Sequence, residues 1–220
     1  MKGLLTKDFR LLLQQKRIFA VFILIAGIFN FGTDGSFVVS YMTLMGSIFV
    51  ISTISYDEYD NGMPFLMTLP ASRKTYVREK YVFGIILGIA MWLLGVALAL
   101  GGWLINSSKG DIYDINEIMV TAVMSIPIFV IIISFMLPIQ LKFGAEKGRT
   151  AMAVVFGVIF LICFGIGKLV ELMGIDVSRA AEIMSGLSMP MLAGILLAAA
   201  VIVLLISSEA SRIIMEKKEF

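Results

Sequence analysis

The sequence predicts an all-α polytopic membrane protein, a bundle of six transmembrane helices. Three observations predict it. Residues of the hydrophobic class make up 59% of the 220-residue chain and charged residues only 15%, against about 25% charged in an ordinary soluble domain. The apolar residues fall in long runs separated by short polar segments. The basic residues gather in alternate segments. A soluble globule of this length could not hide so much apolar surface, so lipid is the solvent for much of it. Residues 1–220 read as one transmembrane domain.

The first apolar run extends from about Ile18 to Phe31 and the second from about Phe37 to Ser55. A single helix over both would be about 57 Å long at 1.5 Å per residue, against a hydrocarbon core of ~30 Å. The chain must therefore turn between them, and Gly32-Thr33-Asp34-Gly35-Ser36 is the turn-like cluster. The third run extends from about Tyr81 to Ile105. The fourth, from about Ile118 to Gln140, contains Pro127 and Pro138. Prolines kink a spanning helix, and neighbouring helices can satisfy the carbonyls they free. The fifth covers about Thr150 to Val170 and the sixth about Met189 to Ser207. No internal repeat is evident, so the inverted-repeat signature of many secondary transporters is missing.

Ahead of the first run, residues 1–17 are amphipathic. Leu4, Leu5, Leu11 and Leu12 recur near helical spacing, with Lys7, Asp8 and Arg10 between them. They read as an interfacial helix on the inner leaflet. With its early charges and no small-residue cleavage pattern, the stretch does not read as a cleaved signal.

Fifteen of the eighteen basic residues fall in the N-terminal stretch, the segments after runs two and four, and the C-terminal tail. Only Lys109, Lys168 and Arg179 fall on the opposite side. The positive-inside rule places the fifteen in the cytoplasm. Six spans return the C-terminus to the side of the N-terminus, which the tail's own charges favour.

Several chemistries are excluded. The chain has no His, which removes His metal sites, H-E-x-x-H zinc chemistry and Ser-His arrangements. The single Cys163 lies in an apolar run and reads as a packing residue. A net charge of +2 gives no footprint for nucleic acid. No G-x-x-x-x-G-K-[ST] occurs, so no phosphate-cradling loop is encoded. Asp34, Glu58, Glu117 and Glu209 lie near run ends and Lys168 can snorkel, leaving the spans without the carboxylates that ion-driven carriers use. Nor do the spans offer an aspartyl dyad.

The longest polar stretch, residues 56–80, is the most informative. It opens with Asp57, Glu58 and Asp60, turns at Asn61-Gly62, and continues Pro64-Phe65-Leu66-Met67-Thr68-Leu69-Pro70. Pro64 suits the first turn of a short helix and Pro70 stops it. Ser72 can cap the helix that leads into run three. A loop this short cannot build its own core, so Phe65, Leu66, Met67 and Leu69 must bury on lipid, on the bundle or on another protein.

Leu69-Pro70-Ala71-Ser72-Arg73-Lys74 with Val77, Lys80 and Tyr81, and the opening Met1-Lys2-Gly3-Leu4-Leu5-Thr6-Lys7-Asp8-Phe9, resemble the corresponding segments of bacterial type-2 ABC exporter permeases. The similarity is greatest to the small permeases that include exporters of phenol-soluble modulins and antimicrobial peptides. The resemblance implies an N-terminal interfacial elbow and a cytoplasmic coupling helix that docks in a groove of a separate ATPase. Phe65, Leu66, Met67, Thr68, Leu69 and Pro70 would form the docking segment. Asp57, Glu58, Arg73 and Lys74 would align the two proteins. It further implies two ATPase subunits carrying ATP and Mg, a second permease copy in a homodimer, a bacterial cytoplasmic membrane, and amphipathic or hydrophobic cargo. The chain itself would be non-catalytic and hold no cofactor. No segment is long enough for the extracellular domain of the larger exporters.

Gly84, Gly88 and Gly95 permit close helix approach, within the bundle or at a dimer seam. The fifteen methionines fit core and lipid-facing positions or a path for varied apolar cargo. An accessory or sensory subunit that binds a partner without moving cargo is the alternative reading.

Overall fold

The computed structural model describes residues 1–32, 35–59, 62–68, 72–107, 115–172 and 188–218. Asp34, Leu69, Pro70 and the side chain of Cys163 lie outside the described parts. The described residues form helices α1 (Lys2–Gln14), α2 (Lys16–Gly32), α3 (Gly35–Glu58), α4 (Gly62–Thr68), α5 (Arg73–Ser107), α6 (Ile115–Leu172) and α7 (Met189–Lys217), with no strand among them.

Four helices are long and apolar enough to cross a membrane: α3, α5 over Arg73–Ile105, α6 over Ile115–Gly144, and α7. The pair α1–α2, bent by 64°, makes a fifth if it counts as one span. Alone, the 17 residues of α2 reach about 26 Å at 1.5 Å per residue, less than the ~30 Å core. The expected run from Thr150 to Val170 is helical, as the second half of α6. Among the described residues the helices that are long and apolar enough to span thus number four, or five with the bent pair, where the sequence predicts six.

The surface is that of a protein solvated by lipid. Val21, Leu24 and Ile28 of α2, Phe160, Leu161 and Phe164 of α6, and Ile202, Leu205 and Ile206 of α7 are all exposed. Inside, α3 is the most enclosed spanning helix and α7 the least. The buried residues Val38, Met42, Phe49, Val50 and Ile54 of α3 pack with Phe83, Leu87 and Met91 of α5 and Phe129, Ile133 and Leu137 of α6. Phe19 of α2 stacks on Phe49, with ring centroids 4.0 Å apart.

Small residues set the close approach. A Cβ on Gly46 would lie 3.5 Å from the Cα of Gly88, so the backbones of α3 and α5 nearly touch there. Gly84 faces Val50 and Ile133, Gly88 faces the Phe129 ring, and Gly95 faces Val39 and Met42. All three glycines therefore pack on helices of their own chain.

Both prolines of α6 sit within the helix, as expected. Pro138 has no N–H, so the carbonyl of Ser134, four residues back, loses its helical donor. The hydroxyl of Ser207 in α7 donates to that carbonyl instead. A neighbouring helix thus satisfies a group that lipid could not. The break in α6 comes at Gly144, with φ 76° and ψ −178°. That backbone favours glycine, and a Cβ there would also lie 3.0 Å from Glu58 Oε2.

A Cβ on Gly88 would fall 2.1 Å from the Phe129 ring, whereas one on Gly84 would sit 3.5 Å from Val50. Gly88→Ala is expected to cost about 1–3 kcal/mol through overpacking, and Gly84→Ala to leave stability nearly unchanged. Thermal unfolding in detergent measures both, and adding Phe129→Leu to Gly88→Ala should recover part of the loss.

Candidate functional site

The site forms where α1, α3, α4 and α5 meet at the basic end of the bundle. Its centre is Lys80, wholly buried in the second turn of α5. The Lys80 ammonium donates to Asp8 of α1. It also lies 2.8 Å from Asp57 Oδ2 of α3 and donates to Thr53 Oγ1 at 3.2 Å. Lys7 of α1 pairs with the other oxygen of Asp57 and lies 3.1 Å from Asp8 Oδ1. Tyr76, also fully buried, donates its hydroxyl to Asp57 Oδ2 at 3.0 Å. Two ammoniums and two carboxylates thus alternate around a small ring that joins α1, α3 and α5.

A buried charge is tolerated only when paired and hydrogen-bonded; Asp57 and Lys80 meet that condition, and Asp8 meets it through one oxygen, its Oδ1 having only the ion pair with half-buried Lys7. Glu79 does not. It is fully buried beside the ring, and neither carboxylate oxygen has a hydrogen-bond partner among the described residues. It lies within electrostatic reach of both lysines and of Asp8 and Asp57.

The short helix α4 starts beside this ring. A Cβ on Gly62 would come within 2.9 Å of the Asp57 carbonyl oxygen, so the turn from α3 into α4 needs a glycine there. Along α4, Met63 and Leu66, three residues apart on one face, are buried at 3% and 7% exposure. Met67 is half-buried against the same core. Pro64, Phe65 and Thr68 face outward, with Phe65 70% exposed. Thr68 turns its hydroxyl back to the carbonyl of Phe65. The predicted docking segment is thus divided: Leu66 and Met67 anchor the helix to its own bundle, and Phe65 projects from it.

The four predicted alignment charges are also bound within the chain. Asp57 is 6% exposed and belongs to the ring, so it forms no surface rim. Glu58 pairs with Lys218 at 3.0 Å. Arg73 donates to the carbonyls of Met215 (3.2 Å) and Glu216 (2.7 Å), closing the C-terminal end of α7. Lys74 lies 3.6 Å from Glu216 Oε1 and stays largely exposed. A further seam joins α5 to α7, where Tyr81 OH meets Ser207 Oγ at 2.6 Å and Ser211 Oγ at 2.8 Å. The bases of α3, α4, α5 and α7 are therefore one mechanical unit.

Sequence reasoning missed the ring, although part of its signal was local. Leu4, Asp8 and Leu12 are the buried residues of α1 and share one helical stripe. A carboxylate on an apolar stripe is the mark of a buried partner. Likewise Lys80 lies on the stripe of Tyr76, Phe83 and Leu87, all buried.

No cluster of three metal-ligating side chains occurs among the described residues. The site's charges tie helices together, and Phe65 projects from a short helix held at their base. The arrangement defines a multi-pass membrane subunit built around a junction of helix ends. Residues 3–216 match the family model for the ABC-2 family transporter protein. The chain belongs to that family, whose members are the transmembrane permease components of ABC transporters and work with an ATPase partner. No curated protein and no solved structure gives a significant match.

Removing one member of a buried ion pair strands its partner and typically costs about 3–5 kcal/mol. Lys80→Met should lose that much stability, and a second change, Asp8→Asn, should restore part of it. Glu79→Gln, which removes an unsatisfied carboxylate, should leave stability unchanged or raise it. Thermal unfolding of the purified variants in detergent provides the comparison.

Proposed function

We propose that the chain is the membrane-spanning subunit of an ATP-driven exporter of amphipathic or hydrophobic cargo, peptides or antimicrobials in particular. In this reading two copies pair in a bacterial cytoplasmic membrane with two ATPase subunits that bind ATP and Mg. Six spans cross the bilayer, with α2 and the second half of α6 as the first and fifth. Both termini are cytoplasmic, and α1 is the elbow at the inner interface.

The observation that carries the reading is the placement of α4. Its Met63–Leu66 face is fixed to the bundle, its start touches the ring at Asp57, and Phe65 projects from the basic end. An aromatic side chain on a rigid base suits insertion into a groove on a partner. Force applied at Phe65 reaches α3 directly and α1 and α5 through the ring. Among the charges, Lys74 is the one of the four predicted alignment residues that stays largely exposed, so it is the charged contact to the ATPase.

Phe65→Asp should abolish co-purification with the cognate ATPase and its stimulated ATP hydrolysis, while the permease itself stays monodisperse. Phe65→Leu should retain much of both. Undiminished co-purification of Phe65→Asp would remove α4 as the docking element. ATP-dependent cargo movement in liposomes excludes a purely accessory role.

Orientation has its own test. In a Cys163→Ser background, a cysteine replacing Ser72 should react with a membrane-impermeant maleimide only from the cytoplasmic side. One replacing Asp111 should react only from outside.

A further inference from the structure

A groove of about 470 Å³ opens between α5 and α7 at the basic end. Val82 and Ile85 of α5 and Leu204 and Leu205 of α7 line its apolar part, and Lys74, Arg78, Glu209 and Arg212 stand at its polar part. The change from apolar to polar falls at Tyr81 and Ser207, where the hydrophobic runs of the two helices begin and end. The apolar part is therefore level with hydrocarbon and the polar part level with headgroups.

The charges at the polar part do not cancel. Lys74 is 3.6 Å from Glu216. Arg212 is 3.0 Å from Glu209 and 3.6 Å from Glu216. These two cations and two carboxylates balance. Arg78 is left over: exposed, with no hydrogen bond or ion pair among the described residues. The Nε of Arg212 is the atom that faces Glu216, beyond hydrogen-bonding distance. One net positive charge, carried by the exposed guanidinium of Arg78, thus stands directly above an apolar channel, with Arg212 beside it. Guanidinium groups match the oxygens of a phosphodiester, and basic pockets between spanning helices suit acidic lipid headgroups.

We propose that this groove holds one anionic phospholipid. Its phosphodiester sits at Arg78 and Arg212, and an acyl chain lies along Val82, Ile85, Leu204 and Leu205. The lipid bridges α5 and α7 beside the Tyr81–Ser207–Ser211 seam. This site depends on the chain being a membrane protein and is independent of what the protein transports.

Native mass spectrometry of the purified chain tests it, with phosphatidylglycerol and phosphatidylcholine of identical acyl chains added at equal concentration. The unmodified protein should retain the anionic lipid preferentially. Arg78→Ala should reduce that preference about fivefold, the ratio equivalent to ~1 kcal/mol per basic side chain near the headgroups. Leu205→Trp, on an exposed wall of the groove, should reduce retention of the lipid while the protein remains monodisperse. Equal retention of the two lipids overturns the proposal. So does full retention in Leu205→Trp, which would mean attraction to surface charge without a groove. Displacement of the lipid by millimolar inorganic phosphate would also overturn it, since the site would then be one for a free anion.

Discussion

The ammonium of Lys80, cut off from water, holds three helices through two carboxylates and a threonine hydroxyl. Taking such charges out of water costs several kcal/mol per ion even after relaxation. The cost is offset only while every partner stays in place, so the ring tolerates little displacement of one helix relative to another. Apolar packing around it is less strict, because side chains such as Met63 and Met67 adapt to small shifts. The base of the bundle therefore has one rigid centre set among compliant contacts. The start of α4 lies against that centre, since the carbonyl of the same Asp57 that binds Lys80 lies close against Gly62.

A second set of polar contacts fixes the other side of the same end. Tyr81 bridges Ser207 and Ser211, and Ser207 in turn serves the carbonyl freed by Pro138. Arg73 closes the last carbonyls of α7, and Lys218 reaches both Glu58 and the carbonyl of Leu141. These contacts draw on α3, α5, α6 and α7, so the C-terminal helix joins the junction although little of its apolar stretch is buried within the chain. Toward the other end, the glycine contacts of α3 with α5 carry the packing, with no charge involved.

Hydropathy and charge bias made the helical membrane class legible, because both follow from composition and local sequence. The helix of residues 2–14, the short helix opening near Pro64, and the interruption between Gln140 and Thr150 were legible for the same reason. Helix capacity to span was less so: α2 is apolar enough but short, and it continues at a bend from α1 rather than standing alone. The ring was not read: the apolar stripes of α1 and α5 mark Asp8 and Lys80 as buried, but the paired residues are 50 and 72 positions apart and no local period says which of them meet. For the same reason Asp57 looked like a surface charge, grouped with Glu58 and Asp60, when the helix end turns it inward. The resemblance treated residues 65–70 as one docking segment, and could not say that Leu66 faces the bundle while Phe65 faces away.

Pairing between α1 and α5 also constrains how the chain is made. Asp8 emerges from the ribosome long before Lys80, with two apolar helices to be inserted in between. Until α5 arrives, the carboxylate of Asp8 has no internal cation except its neighbour Lys7, and the stripe of Leu4 and Leu12 has no bundle to cover it. During that interval α1 lacks both the cation and the apolar cover that it has in the finished bundle. Assembly of the junction thus waits for α5, and α1 gains its final partners only after α2 and α3 have been made.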